Sequence, residues 1–382
     1  MAMESNIAQV RYEPSPDLPP PMSETGVIGW LRHNLFSGWA NSILTVLGIA
    51  FIAWVVPPIV AYLTVDSTWS FPPEVEAGRQ PSSADCAPGG MCWLFIRSRI
   101  GQFMFGFYPP DLWWRPILVF AMFVVGAYGL LAGRVKNKKP FAIYLFAVFP
   151  FIAFWLLYGG LGLDVVPTSQ WGGFMMTLII TVVGIIVSLP LGILLALGRR
   201  SELPVIHMLC VGFIEFVRGV PLISVLFMAN VMLPLFLPEG MQVNILLRVL
   251  VGVIMFSSAY MAEVVRGGLQ AIPKGQYEGA QAMGLGYWQT MRLIILPQAL
   301  RITVPAMVNN FVSLLQDTTL VSMVGLYDFL NIVKVGSRDS NWVGTEMSGY
   351  VFCVIVFWIC CFSMSRYSMY LERRLHTGHA KR

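Results

Sequence analysis

The chain has 382 residues, 56% hydrophobic and only 12% charged, with a mean hydropathy of +0.68. Soluble domains carry roughly twice that share of charge, so the composition excludes an ordinary soluble enzyme and predicts a membrane protein with several spans. The formal net charge of +5 is divided among the short segments between apolar runs, which speaks against a nucleic-acid partner and for topology signals.

The fold class expected is an all-α multi-spanning membrane protein with about eight transmembrane helices, since alternating barrel-type segments are absent. Residues 1–40 read as a cytoplasmic tail, largely disordered, because the stretch containing "SPDLPPPMSE" has little apolar surface to bury. No cleavable signal is expected there. Spans are predicted at 41–64, 115–133, 140–161, 171–197, 219–237, 245–265, 300–316 and 347–366. With the N-terminus inside, seventeen of the 25 Lys and Arg fall on the inner side, seven outside, and Arg218 between. That bias places both termini in the cytoplasm.

The segment 41–169 reads as an extension of three helices with an outer loop at about 65–114. The loop is rich in aromatics that suit a membrane–water interface. It also holds Cys86 and Cys92 in "DCAPGGMCW", a small disulfide ring if the loop faces an oxidising compartment and two free thiols if it does not. In the next span Gly184, Ser188, Gly192 and Ala196 recur every four residues, a stripe that lets two helices approach closely. Pro190 within it is expected to kink the helix.

Residues 204–237 are too long for one upright span. They read as an interfacial helix at 204–218, broken at "RGVP", and a span from Gly219. Glu215 and Arg218, three apart, are placed to pair on one helix face. They are either an anchoring ion pair or part of a transport path.

The segment 266–301 is polar, rich in small residues and flanked by apolar runs. Pro273 suits a helix start, "GLG" supplies a turn, and a second amphipathic helix from Tyr287 is expected to stop at Pro297. Such a helix hairpin either packs under its own bundle or enters a partner's cleft.

"QDTTL" brings Gln316, Asp317, Thr318 and Thr319 to the end of a short span, as substrate contacts or as the cap of a helix. Met261, Asn309 and Asn310 are further candidates for a path. Four histidines show no metal-ligand spacing, no nucleophile–base pair stands out, and no phosphate loop of the G-x-x-x-x-G-K-[ST] type occurs, so no catalytic site, metal or cofactor is assigned to this chain.

The spacing at 278–297 resembles the EAA loop of ABC-importer permeases, whose pattern is E-A-A, three residues, G, nine residues, I, one residue, L-P. Glu278, Ala280, Gly284, Ile294, Leu296 and Pro297 match it, and Gly279 replaces the middle alanine. "FIEFVRGVPLISVLF", "SSAYMAEVVRGGLQAIPKGQYEGAQAMGL" and "LLQDTTLVSMVGLYDFL" resemble the polar amino-acid group of that family. The longer N-terminal part resembles the general L-amino-acid importers.

The resemblance implies a five-helix permease core at 170–370, followed by a cytoplasmic tail at 371–382. It implies an inner-membrane transport subunit moving polar L-amino acids. Glu278, Gly279, Ala280, Gly284, Ile294, Leu296 and Pro297 would then couple the chain to an ATP-binding subunit dimer that carries ATP and Mg. A second permease subunit, a periplasmic amino-acid-binding protein and the lipid bilayer would be its other partners. The rival reading, a secondary amino-acid transporter working without an ATPase, predicts inverted repeats and charged groups in broken helices at the membrane midplane.

Overall fold

The structure is a computed structural model that describes residues 26–375 except 77, 133, 134, 136, 237 and 239–242. The tail calls for 1–25 and 376–382 lie outside the described residues. Two compact units are formed, one by residues up to Ser67 with Pro88–Gly90 and one by the remainder.

The first unit holds α1 (Gly26–Asn34) and α2 (Trp39–Val60). No residue of α2 is buried, the profile of a helix facing lipid. Its paired prolines, Pro57 and Pro58, are followed by a π turn at Ala61–Val65.

The second unit begins with the outer segment. There α3 (Trp93–Phe105) stands where a loop is predicted. It is followed by α4 (Trp114–Leu131), α5 (Lys139–Tyr158) and α6 (Gly173–Arg199). The next pair, α7 (Pro204–Gly219) and α8 (Leu222–Phe236), is bent by 109° at the break containing Pro221. Then come α9 (Ile245–Gln270), α10 (Lys274–Ala282), α11 (Tyr287–Val324), the two-residue strand β1 (Tyr327–Asp328), α12 (Phe329–Ser337) and α13 (Glu346–Leu375). Among the described residues seven helices are long and apolar enough to cross a membrane, and the bent pair makes an eighth.

Prolines explain the irregular turns. A proline removes one helix hydrogen bond, and its ring clashes with the carbonyl four residues back. Three π turns, at Tyr144–Val148, Met228–Met232 and Met291–Ile295, each end two residues before a proline: Pro150, Pro234 and Pro297. The wider turn moves the clashing carbonyl aside, so the helix continues. This corrects the expected stop at Pro297. The second helix of the hairpin and the span at 300–316 are one helix, α11, that runs through the proline. Pro190 likewise lies inside an unbroken α6.

The small-residue stripe packs α6 on α9. A Cβ at Gly192 would lie 2.7 Å from Met261 Cβ, and a Cβ at Gly184 would lie 3.4 Å from Val253. The hydroxyls of Ser188 and Ser257 bond at 3.1 Å in the same seam. One core cluster, around Met176, Ile180, Val249, Val253, Leu314 and Val321, fills the end of the bundle where α6 begins. A second, around Ala196, Ile214, Met261, Val265, Ile295 and Ala299, fills the end where α6 stops.

Candidate functional site

The basic end of the bundle is organised by charge. Arg199 at the last turn of α6 lies 2.7 Å from Glu215 of α7 and 3.4 Å from Glu263 of α9. Arg218 of α7 reaches the same Glu263 at 3.5 Å, and Arg266 grips it from one turn further along α9. The Arg266 Nε donates to both carboxylate oxygens at 3.0 Å. Glu215 and Arg218 therefore do not form the local pair that their spacing suggests. Each bonds across to another helix, and Glu263 is the hub that ties α6, α7 and α9 together. The sequence signal for it was the E-x-x-R spacing of Glu263 and Arg266 inside an apolar run, since charges within a span tend to be paired.

The adjoining Arg200 donates to Tyr277 Oη at 3.0 Å and to the Leu269 carbonyl at 3.2 Å. Tyr277 belongs to α10, so this contact fastens the short helix to the end of α6. Gln298 adds a second tie, donating to Gln276 Oε1 at 3.1 Å.

On α10, Ala280 is 3% exposed and turns inward with Tyr277, while Glu278 and Gly279 face out. A Cβ at Gly275, Gly279 or Gly284 would meet nothing within 4 Å. Gly284 has φ of +73°, the left-handed conformation that lets the chain turn from α10 towards α11. Large apolar side chains in the residues that follow are also open: Met283, Trp288 and Leu293 are 80%, 69% and 65% exposed. Of the remaining pattern residues, Ile294 and Leu296 are half-buried and Pro297 is exposed. Exposure of Met283, Trp288 and Leu293 was not expected from the sequence, because a helical run gives its period but not which flank the bundle covers.

The "QDTTL" group lies elsewhere. Leu314 packs against Gly184, fifteen residues before Arg199 on α6, or roughly 22 Å along the helix axis. The structure thus separates Glu215 and Arg218 from Gln316–Thr319. Thr318 is buried and donates to the Leu315 carbonyl at 2.7 Å, and Thr319 donates to the Gln316 carbonyl at 2.9 Å. These two hydroxyls satisfy the end of the α-helical part of α11. Gln316 reaches Cys361 Sγ at 3.7 Å, and Asp317 is half-buried. Of the further path candidates, Met261 is buried against α6, Asn309 is exposed, and Asn310 Nδ2 is buried without a hydrogen-bond partner among the described residues.

The opposite end is tightly built. Cys86 and Cys92 are joined by a disulfide, with Cα atoms 5.4 Å apart. The amide of Cys92 donates to Ser348 Oγ of α13 at 3.0 Å, which fixes the start of α3. Phe95 and Phe103 of α3 pack edge-on at 5.2 Å and reach the places left open by Gly349 and Gly336. Arg99 pairs with Asp339 at 2.6 Å, and the amide of Asn341 together with this arginine holds the Asp339 carboxyl below its ordinary range. Asp328 caps α12 by accepting from the Leu330 amide at 3.0 Å. Its side chain is fully buried, and that burial pushes its pKa up to about 7. Sequence reading missed both α3 and Asp328.

Known proteins resemble this chain along most of its length. Residues 188–377 match the family described as binding-protein-dependent transport system inner membrane component. The chain is 48% identical over 365 residues to the inner membrane amino-acid ABC transporter permease protein YhdY of Escherichia coli strain K12, covering 95% of this chain and 97% of that one. It is 40% identical over 437 residues to the glutamate/glutamine/aspartate/asparagine transport system permease protein BztC of Rhodobacter capsulatus, covering 98% and 100%. The glutamate/aspartate import permease protein GltK of Escherichia coli O6:H1 is 34% identical over 219 residues, 55% of this chain but 96% of its own.

Proposed function

This chain belongs to the family of inner membrane components of binding-protein-dependent transport systems, and from that premise we propose that it carries polar L-amino acids inward as one permease subunit of an ATP-driven importer. Its partners are an ATP-binding subunit dimer that holds ATP and Mg, a second permease subunit, related or identical, and a periplasmic amino-acid-binding protein. Residues 41–169 are the helical extension and 170–370 the permease core, with both termini cytoplasmic. The names of the full-length relatives support the amino-acid class.

The observation that carries the coupling assignment is the uncovered surface of α10. Glu278, Gly279 and Gly284 point away from the bundle beside Met283. A surface with small residues at its centre and large apolar ones at its rim suits a cleft that admits the helix closely, with Glu278 orienting it. On the inward side, where Ala280 is buried, Tyr277 is tied to Arg200 at the end of α6. A push on α10 therefore reaches α6, and through Arg199, Glu215 and Glu263 it reaches α7 and α9. ATP bound by the partner biases this two-state arrangement by its differential affinity for the two forms. The residues of this chain transmit the movement and perform no hydrolysis.

Co-purification tests the reading. A tagged wild-type chain extracted in mild detergent from its native membrane is expected to bring an ATP-binding subunit with it. Glu278→Arg should lose that subunit while inserting at the wild-type level, with uptake of labelled amino acids falling at least tenfold. A chain that purifies alone, or a Glu278→Arg variant with full uptake, would contradict the coupling assignment.

A further inference from the structure

A groove with a cavity volume of about 760 Å³ runs between α4 and α5 on one side and α6 and the start of α9 on the other. Its wall is aromatic and aliphatic: Phe120 and Phe123 of α4, Ala153 and Phe154 of α5, Val183 of α6 and Leu250 of α9. Phe120, Phe154 and Leu247 on its rim are each about half exposed, so the groove opens sideways towards the bilayer. Polar groups gather at one end, where α6 and α9 begin. There Asn244 donates to Thr168 Oγ1 while its own carbonyl oxygen accepts from the Leu246 amide at 2.9 Å. Among the described residues the second amide hydrogen of Asn244 and the hydroxyl hydrogen of Thr168 have no partner.

We propose that this groove is a binding site for one acyl chain of a membrane phospholipid, with the ester oxygens of the lipid received by Asn244 and Thr168. Length decides between a lipid and a protein occupant. Along α6 the lining runs from Phe174 to Ile186, twelve residues or about 18 Å at 1.5 Å per residue. One leaflet of the hydrocarbon core is about 15 Å deep, whereas a spanning helix needs about 30 Å of groove. Lining chemistry points the same way. Helices meet in lipid across glycine, alanine and serine, which let backbones approach. This groove is walled by phenylalanines, and the small-residue face of α6 is already occupied by α9.

Water is a poor occupant, because a buried water needs two to four polar partners and the groove offers them only at its end. Open on one side, the groove is within reach of hydrocarbon chains in the bilayer. A flexible hydrocarbon chain with a polar head satisfies both the wall and the end. The site also gives the N-terminal extension a role: a bound lipid would fill the space between α4 and α5 and the core helices.

The test is native mass spectrometry of the assembled importer released from mild detergent, together with lipid extraction. Wild type is expected to retain about one phospholipid per copy of this chain after extensive washing. Ala153→Trp, which fills the groove, should reduce that retention at least tenfold. Val354→Trp, on the exposed face of α13, should leave it unchanged. If Ala153→Trp fails to insert, Val183→Phe fills the same space from α6. Equal lipid retention in wild type and groove variants would overturn the proposal. So would efficient cross-linking of Leu250→Cys to a second permease subunit, which would make the groove a subunit interface.

Discussion

Two groups of glycines, one at each end of the bundle, stand in opposite surroundings. At the disulfide-bearing end, Gly106 and Gly173 have φ of +69° and +66°. A Cβ at Gly106 would sit 2.5 Å from Gly172 Cα, and one at Gly173 would overlap the Phe103 carbonyl. At the basic end, Gly275, Gly279 and Gly284 would meet nothing. At Gly106 and Gly173 glycine is required by contacts already made, so the seam between them is locked. On α10 and the turn after it, glycine keeps a surface low that no other side chain among the described residues covers. The difference is what the proposed division rests on, with anchoring at the locked seam and coupling at α10.

The strongest test of that contrast pairs two valines. Gly173→Val should cost more than about 4 kcal/mol, since it combines a forbidden backbone angle with a backbone clash, and the chain should fail to accumulate in the membrane. Gly279→Val is expected to insert and melt within about 1 kcal/mol of wild type, yet to lose uptake. Equal accumulation of the two variants would break the comparison.

Asp328 gives a second test, read by pH. Its carboxyl is held at about 7 by burial, against 3.8 for an aspartate in water. The native state therefore binds the proton more tightly than the unfolded chain. The stability this contributes is complete below about pH 4 and is lost as pH rises through about 7. At 1.36 kcal/mol per unit, the loss is about 4 kcal/mol. The melting temperature of the purified protein should fall across that range, and Asp328→Asn, which keeps a capping oxygen, should flatten the curve. A wild type with no slope would show that the carboxyl is not held neutral.

A smaller effect is expected from the disulfide. Cys86 and Cys92 close a ring with a sequence separation of 6, worth about 2 kcal/mol by loop-closure entropy. Cys86→Ser should lower the melting temperature by a few degrees and leave α3 in place through Phe95 and Phe103. Loss of uptake in that variant at normal stability would mean the outer segment does more than anchor.

The spans were legible because length and hydropathy alone require them, and the 278–297 spacing was legible because it is a pattern of residue types. Three features were not. The helix α3 carries Arg97, Arg99 and several aromatics, a composition that fits an interface as well as a packed helix. Its buried Leu94, Phe95, Ile96 and Phe103, the two phenylalanines packed against Gly336 and Gly349, show that the core covers it. Pro297 reads as a stop because a π turn two residues earlier has no sequence signature of its own. Glu215 and Arg218 read as a pair by local spacing, whereas their partners, Arg199 and Glu263, are 16 and 45 residues away in sequence.

The central claim, that the open surface of α10 is where an ATP-binding subunit docks, is tested most directly by photo-cross-linking. Met283 is replaced by benzoylphenylalanine in the native host, membranes are irradiated, and adducts are identified by mass spectrometry in cells whose uptake is intact. The account predicts one dominant adduct, between position 283 and the ATP-binding subunit. Adducts confined to this chain and to lipid would contradict it, leaving α10 a helix that covers only its own bundle.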